Sequence, residues 1–325
     1  MTVRNIKAAF CAAVAVVAGI WFAQAQAQSA YPDRPIQLII PFAPGDTDQM
    51  LRPITDRMGE FLGQPVVLNY KPGAAGAIGA EFVAKSKPDG YTLVGSSPSS
   101  LVVVPLVNEN VHYTTDSFTP IMALSEGAMI LVVPADSPYK TIHDVVEKSK
   151  SDPESMTYGS SGAKGIPNLI MDLFAQKADI KFRHIPFEGS GPAVMALLGK
   201  HIDMACSAVA PIQAHIKAGK LRPLAVFNDV RLKTFPDVPT FKELGYDIGS
   251  PQFYGIVAAK GTPKEIVDAL YAAARKVVDK YGAQIEPTLE AAMGAQVRLV
   301  GPQEYQAYLQ QQARLYSDGI KSLYH

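Results

Sequence analysis

Cysteine is nearly absent from this 325-residue chain, which has only Cys11 and Cys206. Cys11 falls inside an N-terminal apolar run, so the rest of the chain keeps a single thiol and no internal disulfide; its stability has to come from its core. An excess of either charge is missing too. Thirty Lys and Arg face thirty Asp and Glu, without the basic surplus that binding a phosphate backbone requires, and nucleic acid is excluded as a partner. Past its first residues the chain has no apolar run near the roughly 20 residues of a spanning helix. With 48% hydrophobic and 18% charged residues it is neither a disordered chain nor a multi-span membrane protein, and its length suits two domains or one large one.

Arg4 and Lys7 precede an apolar run over 8–22, and Ala25-Gln26-Ala27 follows as a small-x-small pattern. Residues 1–27 therefore read as a secretory signal peptide, the run being too short for a retained anchor. Cleavage would remove two basic residues and no acidic one, leaving a faintly acidic protein expected in the periplasm.

The remaining sequence alternates short apolar runs with helix-like spacing. Buried strands are predicted over 36–42, 66–69, 91–96, 128–133, 156–158, 182–186, 202–206, 221–227 and 254–258. Between them lie stretches such as Ile166, Leu169, Ile170, Leu173 and Phe174, with apolar residues three and four apart. Strands alternating with helices imply parallel sheets covered on both faces. Thr262-Pro263-Lys264-Glu265 predicts a helix with Thr262 as its cap, and a last helix is expected over about 303–323.

Enzyme signatures do not appear. Gly159-Ser160-Ser161-Gly162 lacks the spacing of a nucleophile elbow, Gly199-Lys200 lacks the preceding glycine of a phosphate loop, and Gly73, Gly76 and Gly79 do not form a dinucleotide fingerprint. The six histidines show no metal-ligand spacing, and neither His201 nor His215 reads as a ligand. No catalytic residue, metal or cofactor is expected.

What recurs is a strand ending in a Gly/Ser-rich turn that opens a helix. The turns are Pro44-Gly45-Asp46, Ser96-Ser97-Pro98-Ser99-Ser100, Ser160-Ser161-Gly162-Ala163-Lys164-Gly165 and Gly189-Ser190-Gly191. Such turns aim backbone N–H groups, hydroxyls and the positive ends of helices at one point, and in open α/β sheets that point is where ligands bind. Singly, each is also what an ordinary helix cap looks like. Phe42, Phe253 and Tyr254 are placed either to stack on a flat ligand or to pack in the core. Lys164 is placed either to pair with an anion or to sit in solvent.

Taken in order, these segments resemble a known family. Pro41-Phe42-x-Pro44-Gly45 with Asp48, Leu62-Gly63-Gln64-Pro65, Lys71-Pro72-Gly73-Ala74-Ala75-Gly76 and Pro88-Asp89-Gly90-Tyr91-Thr92-Leu93 are similar to the Bug/TctC extracytoplasmic solute receptors of tripartite tricarboxylate transporters. The likeness continues through Val132-Val133-Pro134, Tyr158-Gly159-Ser160-Ser161-Gly162, Gly189-Ser190-Gly191-Pro192, Pro236-Asp237-Val238-Pro239 and Gly261-Thr262-Pro263. It implies an α/β, two-domain periplasmic binding protein of type II, a Venus flytrap, each domain a mostly parallel sheet flanked by helices. Domain 1 would comprise 31–133 plus 251–325, and domain 2 would comprise 134–250.

The resemblance also implies a monomer that captures a small organic carboxylate, a di- or tricarboxylate or an aromatic acid, and delivers it to a permease of one large and one small subunit. The implied ligand-binding residues are Phe42, Gly45, Asp48, Ser96 and Ser97 in the first domain. In the second they are Ser160, Ser161, Gly162, Gly189 and Ser190, with Lys164 added as a departure that could supply a charge. Asp46 is a second departure: an acid in a shortened loop where relatives carry glycine, expected to repel a carboxylate unless it points away or the ligand offers a donor. Pro53 would cost the following helix a backbone bond unless that helix starts after Asp48. Cys206-Ser207-Ala208 replaces a bulkier, more polar segment and would suit a larger acid. Two other functions stay open: a ligand-binding module for signalling without transport, and a periplasmic serine hydrolase using Ser97 or Ser161.

Overall fold

The computed structural model describes residues 31–250, 252–294 and 298–324, and the expected signal peptide over 1–27 lies outside them. Contacts divide the chain at 33/34, and the fold below is that of residues 34–325.

The chain opens with β1 (Ile36–Ile40), an apolar strand buried at four of its five positions. It is followed by α1 (Asp46–Leu62), β2 (Val66–Tyr70), α2 (Ala77–Ala84), β3 (Thr92–Ser96), a buried π-turn at Ser99–Val103, α3 (Val104–Val107) and β4 (Phe118–Gly127). Helix α1 buries Met50, Leu51, Ile54 and Met58, which share one face at helical spacing. It stops at Gly63, a left-handed residue (φ 72°) whose N–H returns to the Gly59 carbonyl. Pro53 lies inside it, so the helix begins at Asp46 in spite of the proline and one backbone bond is forgone.

The second half-fold holds β5 (Met129–Pro134), α4 (Ile142–Ser151), β6 (Thr157–Ser160), α5 (Ile166–Ala178), β7 (Arg183–Pro186), α6 (Ser190–Leu198), β8 (Met204–Ala208), α7 (Ala210–Lys217) and β9 (Leu221–Phe227). The chain then returns through β10 (Gln252–Ala259), α8 (Lys264–Met293), β11 (Leu299–Val300) and α9 (Pro302–Tyr324). Helix α8 starts one residue later than the sequence suggests. Pro263 takes the cap position, and the Thr262 hydroxyl donates to the Ala259 carbonyl.

Two sheets result, ordered β11-β4-β10-β3-β1-β2 and β7-β6-β8-β5-β9. In the first, β10 and β11 run against the other four strands; in the second, β5 alone runs against the rest. The α/β fold of two helix-flanked sheets is present, but the sheets are mixed. The crossing between them falls at Gly127–Ala128 rather than after residue 133, because β5 pairs with β8 and β9.

Strand β5 shows why an unbroken apolar run specifies a central strand. Met129, Leu131 and Val133 join one core cluster with Ile170 and Phe174, while Ile130 and Val132 join another with Val194 and Ile212. Successive side chains point to opposite faces, so a strand buried on both must be apolar throughout. Each fully buried Leu, Ile or Val contributes roughly 1.5–3 kcal/mol by leaving water. A third cluster lies under the first sheet, with Val94, Val257, Tyr305 and Leu309 at its centre. Among the described residues, no helix is long and apolar enough to cross a membrane.

Candidate functional site

Strands β1, β2 and β3 are mutually parallel through β1, and so are β6, β7 and β8 through β6, so the turns that follow them leave from the carboxyl edges of the two sheets. These edges face each other across two seams. At the first, the Ala43 N–H donates to the Glu188 carbonyl at 2.8 Å. A methyl group at Gly191 would lie 2.2 Å from the Pro44 carbonyl oxygen, one at Gly45 2.9 Å from the Gly191 nitrogen, and one at Gly189 2.9 Å from the Ala43 oxygen. At the second seam the Ile166 N–H donates to Ser99 Oγ at 3.0 Å. A methyl at Gly162 would come within 2.7 Å of the Ala75 Cα. Backbone meets backbone across both seams, and glycine is what lets the lobes come this close.

The seams also hold strained backbone. Ala74, Ala75 and Lys164, three of the six non-glycine residues with positive φ among those described, lie in the turns of the second seam at φ 48°, 51° and 63°. Each costs of order 1 kcal/mol or more, and such residues persist only where the surroundings fix them.

Asp46 stands between the lobes. It is the first residue of α1 and is 8% exposed. Its carboxylate accepts from the Tyr254 hydroxyl at 3.1 Å and lies close to the Ser190 hydroxyl of the opposite lobe and to the backbone N–H groups of Asp46 and Thr47. Burial raises its pKa above the usual carboxylate range, against the pull of these four groups, and burial wins. Tyr254 titrates well above its ordinary value, through its own burial and then through the Asp46 charge.

Of the residues expected at the site, most converge on the seams, but in different roles. Asp48 is turned into its own lobe. Its oxygens accept from the Gly45 N–H at 2.8 Å and the Tyr70 hydroxyl at 2.9 Å, with Arg52 Nε at 3.8 Å, so it satisfies the backbone at the start of α1 from one side only. Phe42 is buried with its ring against Gly76, where a methyl would meet it at 2.8 Å. Ser96 is fully buried and shares a 2.6 Å hydrogen bond with Ser100, whose carbonyl accepts from Tyr113. Ser97 Oγ receives the Ser99 N–H at the entry to the π-turn.

In the second lobe, Ser160 Oγ lies 2.7 Å from His184 Nε2 and 3.0 Å from the Gly162 carbonyl. His184 stacks on Tyr158 at 4.6 Å, and burial holds its pKa down at about 4, so the ring is neutral near pH 7. Ser161 and Gly191 are half-buried, and Gly189 and Ser190 are buried at the start of α6.

Of the departures read from the sequence, the Cys206-Ser207-Ala208 segment turns out differently. Lys164 is exposed, and its backbone N–H donates to Asn168 Oδ1. Cys206 and Ala208 belong to the core cluster behind β8, and burial raises the Cys206 thiol well above its usual range, so neither forms a cleft wall. Phe253 likewise packs in the core against Tyr308, its ring 3.7 Å away, rather than standing free to stack. The group that sequence reasoning did not place is the Asp46–Tyr254–Ser190 cluster. Its one legible signal is an acid where the resembling receptors carry glycine.

Among the described residues, no three His, Cys, Asp or Glu side chains gather as a metal site. Hollows of about 570 Å³ beside Ser149 and Gln176, 530 Å³ beside Leu106 and Arg314, and 430 Å³ beside Thr119 and Gln303 lie away from the seams. The candidate site is marked by converging turns, helix N-termini and buried hydroxyls.

Comparison with known proteins agrees with this geometry. The family described as tripartite tricarboxylate transporter family receptor matches residues 50–322. A UPF0065 protein in the gbd 5′ region of Cupriavidus necator is 38% identical over 265 residues, covering 79% of this chain and 78% of that protein. The periplasmic binding protein BugD superposes with a TM-score of 0.83 at 29% identity, covering 90% of this chain and 98% of its own. MatC from Rhodopseudomonas palustris, solved with bound malate, superposes with a TM-score of 0.82 at 25% identity, covering 89% and 100%.

Proposed function

Because this chain belongs to the tripartite tricarboxylate transporter receptor family, we propose that it is a periplasmic receptor that captures a small organic carboxylate between its lobes and hands it to a membrane permease. The observation that carries this reading is the pair of seams. The Ala43–Glu188 and Ser99–Ile166 hydrogen bonds join turns at the carboxyl edges of both sheets, beside the N-termini of α1, α5 and α6. An anion held there is stabilised by backbone N–H groups and helix dipoles without a charged side chain. That MatC was solved with malate supports a carboxylate as the ligand class.

Binding and closure are one equilibrium. A ligand touching both lobes favours the closed form by the contacts it makes only there. In this reading Ser97, Ser161 and the turn that opens α5 touch the ligand. Phe42, Gly45, Asp48, Ser96, Ser160, Gly162, Gly189 and Ser190 build and close the turns that present them, and Lys164 is exposed. Ligand leaves unchanged; the protein is a receptor and not an enzyme. The two lobes comprise about 34–127 with 252–324, and about 128–250. Residues 1–27 act as an export signal, which places the protein in the periplasm as a monomer. The permease it serves has one large and one small subunit.

A thermal-shift screen against aliphatic and aromatic carboxylates, with neutral amides as controls, tests the proposal. A ligand at a hundred times its Kd adds about 2.7 kcal/mol of stability, a rise of several degrees in a chain of this size. If no carboxylate raises the transition while neutral or cationic compounds do, the assignment fails.

A further inference from the structure

The two helix N-termini at the first seam point at a carboxylate that the chain already supplies. Asp46 opens α1 and Ser190 opens α6, and between them the Asp46 carboxylate accepts from the Tyr254 hydroxyl at 3.1 Å, with the Ser190 hydroxyl and the N–H groups of Asp46 and Thr47 close by. The Tyr254 hydroxyl fills one of the roughly four acceptor positions of an ionised carboxylate, and donors turned toward Asp46 are not offered to a second anion. The donors come from both lobes, as they would for a ligand that bridges them.

Charge in the neighbouring turns points the same way. Over 41–48, 73–76, 96–100, 160–165 and 187–191 the ionisable residues are Asp46, Asp48, Lys164 and Glu188. Asp48 is held by Gly45, Tyr70 and Arg52, while Lys164 and Glu188 are exposed. The one buried charge facing the opposite lobe is therefore negative, with no buried cation beside it in these turns to balance a second anion.

Resting on the receptor reading above, we infer that Asp46 is an internal stand-in for one ligand carboxylate, so that the cleft takes organic acids with a single carboxylate and discriminates against dicarboxylates. The ligand's carboxylate is held by the α5 side of the cleft, at the Ser160–Gly165 turn. Its other end is neutral or hydrogen-bond donating, and approaches Asp46.

The test is isothermal titration at pH 7.5 with pairs differing only in one carboxylate exchanged for a carboxamide: succinate and succinamate, adipate and adipamate, phthalate and phthalamate. The wild-type chain is expected to bind the monoamide at least tenfold more tightly than its dicarboxylate in whichever frame fits. Asp46→Gly, which removes the carboxylate and frees the Tyr254 hydroxyl, is expected to narrow or reverse that ratio by at least tenfold. Asp46→Asn removes the charge but still fills the space, so it should shift the ratio by less; it also serves if the glycine variant does not fold. A wild-type chain that binds the dicarboxylate as tightly as its monoamide, or a ratio unchanged in both variants, overturns the inference and leaves the receptor reading standing. If neither member of any pair binds to any of the three proteins, carboxylate capture itself fails, and the inference with it.

Discussion

The closest approach between the lobes is also the most direct place to interfere with closure. Gly191 is the second residue of α6, and a methyl there would sit 2.2 Å from the Pro44 oxygen. That is about 1 Å short of van der Waals contact. Pro44 cannot retreat easily, since Ala43 is tied to Glu188 and Gly45 to Asp48. Relieving the overlap by moving backbone should cost about 1–3 kcal/mol in the closed form, as overpacking does elsewhere. In an open form nothing opposes the methyl, and alanine in place of glycine favours a helix by up to about 1 kcal/mol. Gly191→Ala is therefore expected to weaken ligand binding by about 5–150-fold while the ligand-free melting temperature stays level or rises. Isothermal titration with a ligand found by the thermal-shift screen, alongside a melting curve, reads both quantities. Wild-type affinity in Gly191→Ala would show that the bound state does not bring these two turns together, and closure at this seam would have to be abandoned.

Ser99→Ala removes the hydroxyl that receives the Ile166 N–H across the second seam, and should lower affinity about five-fold with little change in ligand-free stability; equal losses in both would place the bond's effect in folding instead. His184 titrates near pH 4 in the folded chain against about 6.5 unfolded, so the fold favours the neutral ring. Its contribution is fully present above pH 6.5 and is lost as pH falls through 4, about 1–2 kcal/mol after allowing for its partial exposure; urea unfolding of His184→Gln should show a shallower acid decline than wild type. Tyr305 is fully buried, and among the described residues its hydroxyl has no partner, so Tyr305→Phe is expected to raise stability by about 1 kcal/mol in the same assay, and a loss would mean the hydroxyl is satisfied after all.

Much of this fold is legible where one residue type leaves a single solution. The apolar run through Met129–Pro134 announces a strand buried on both faces, and the Gly/Ser turns announce the edges where strands hand over to helices. Strand β4 is hidden by Pro120, which argues against a central strand. The structure accommodates it at a ladder irregularity near Val257 and beyond the two residues that β11 pairs. Strand β11 is two residues long and carries no periodicity to detect.

The site is less legible because its contacts are distant in sequence. Tyr254 and Asp46 are separated by 208 positions, and Ile166 and Ser99 by 67. No local pattern shows that two glycine turns will touch each other, or that Lys164 will be exposed while Asp46 is enclosed.

The last helix ties the lobes together in a way the strand crossings do not. Along α9, Tyr305 and Leu309 are set in the core under the first sheet, while Ile320 is set in the core of the second, and Tyr316 touches both and bonds to Ser250. A rod gripped at each end by a different body resists their separation as a leaf spring does. Any separation of the lobes must do work against the seating of Ile320 and Tyr316.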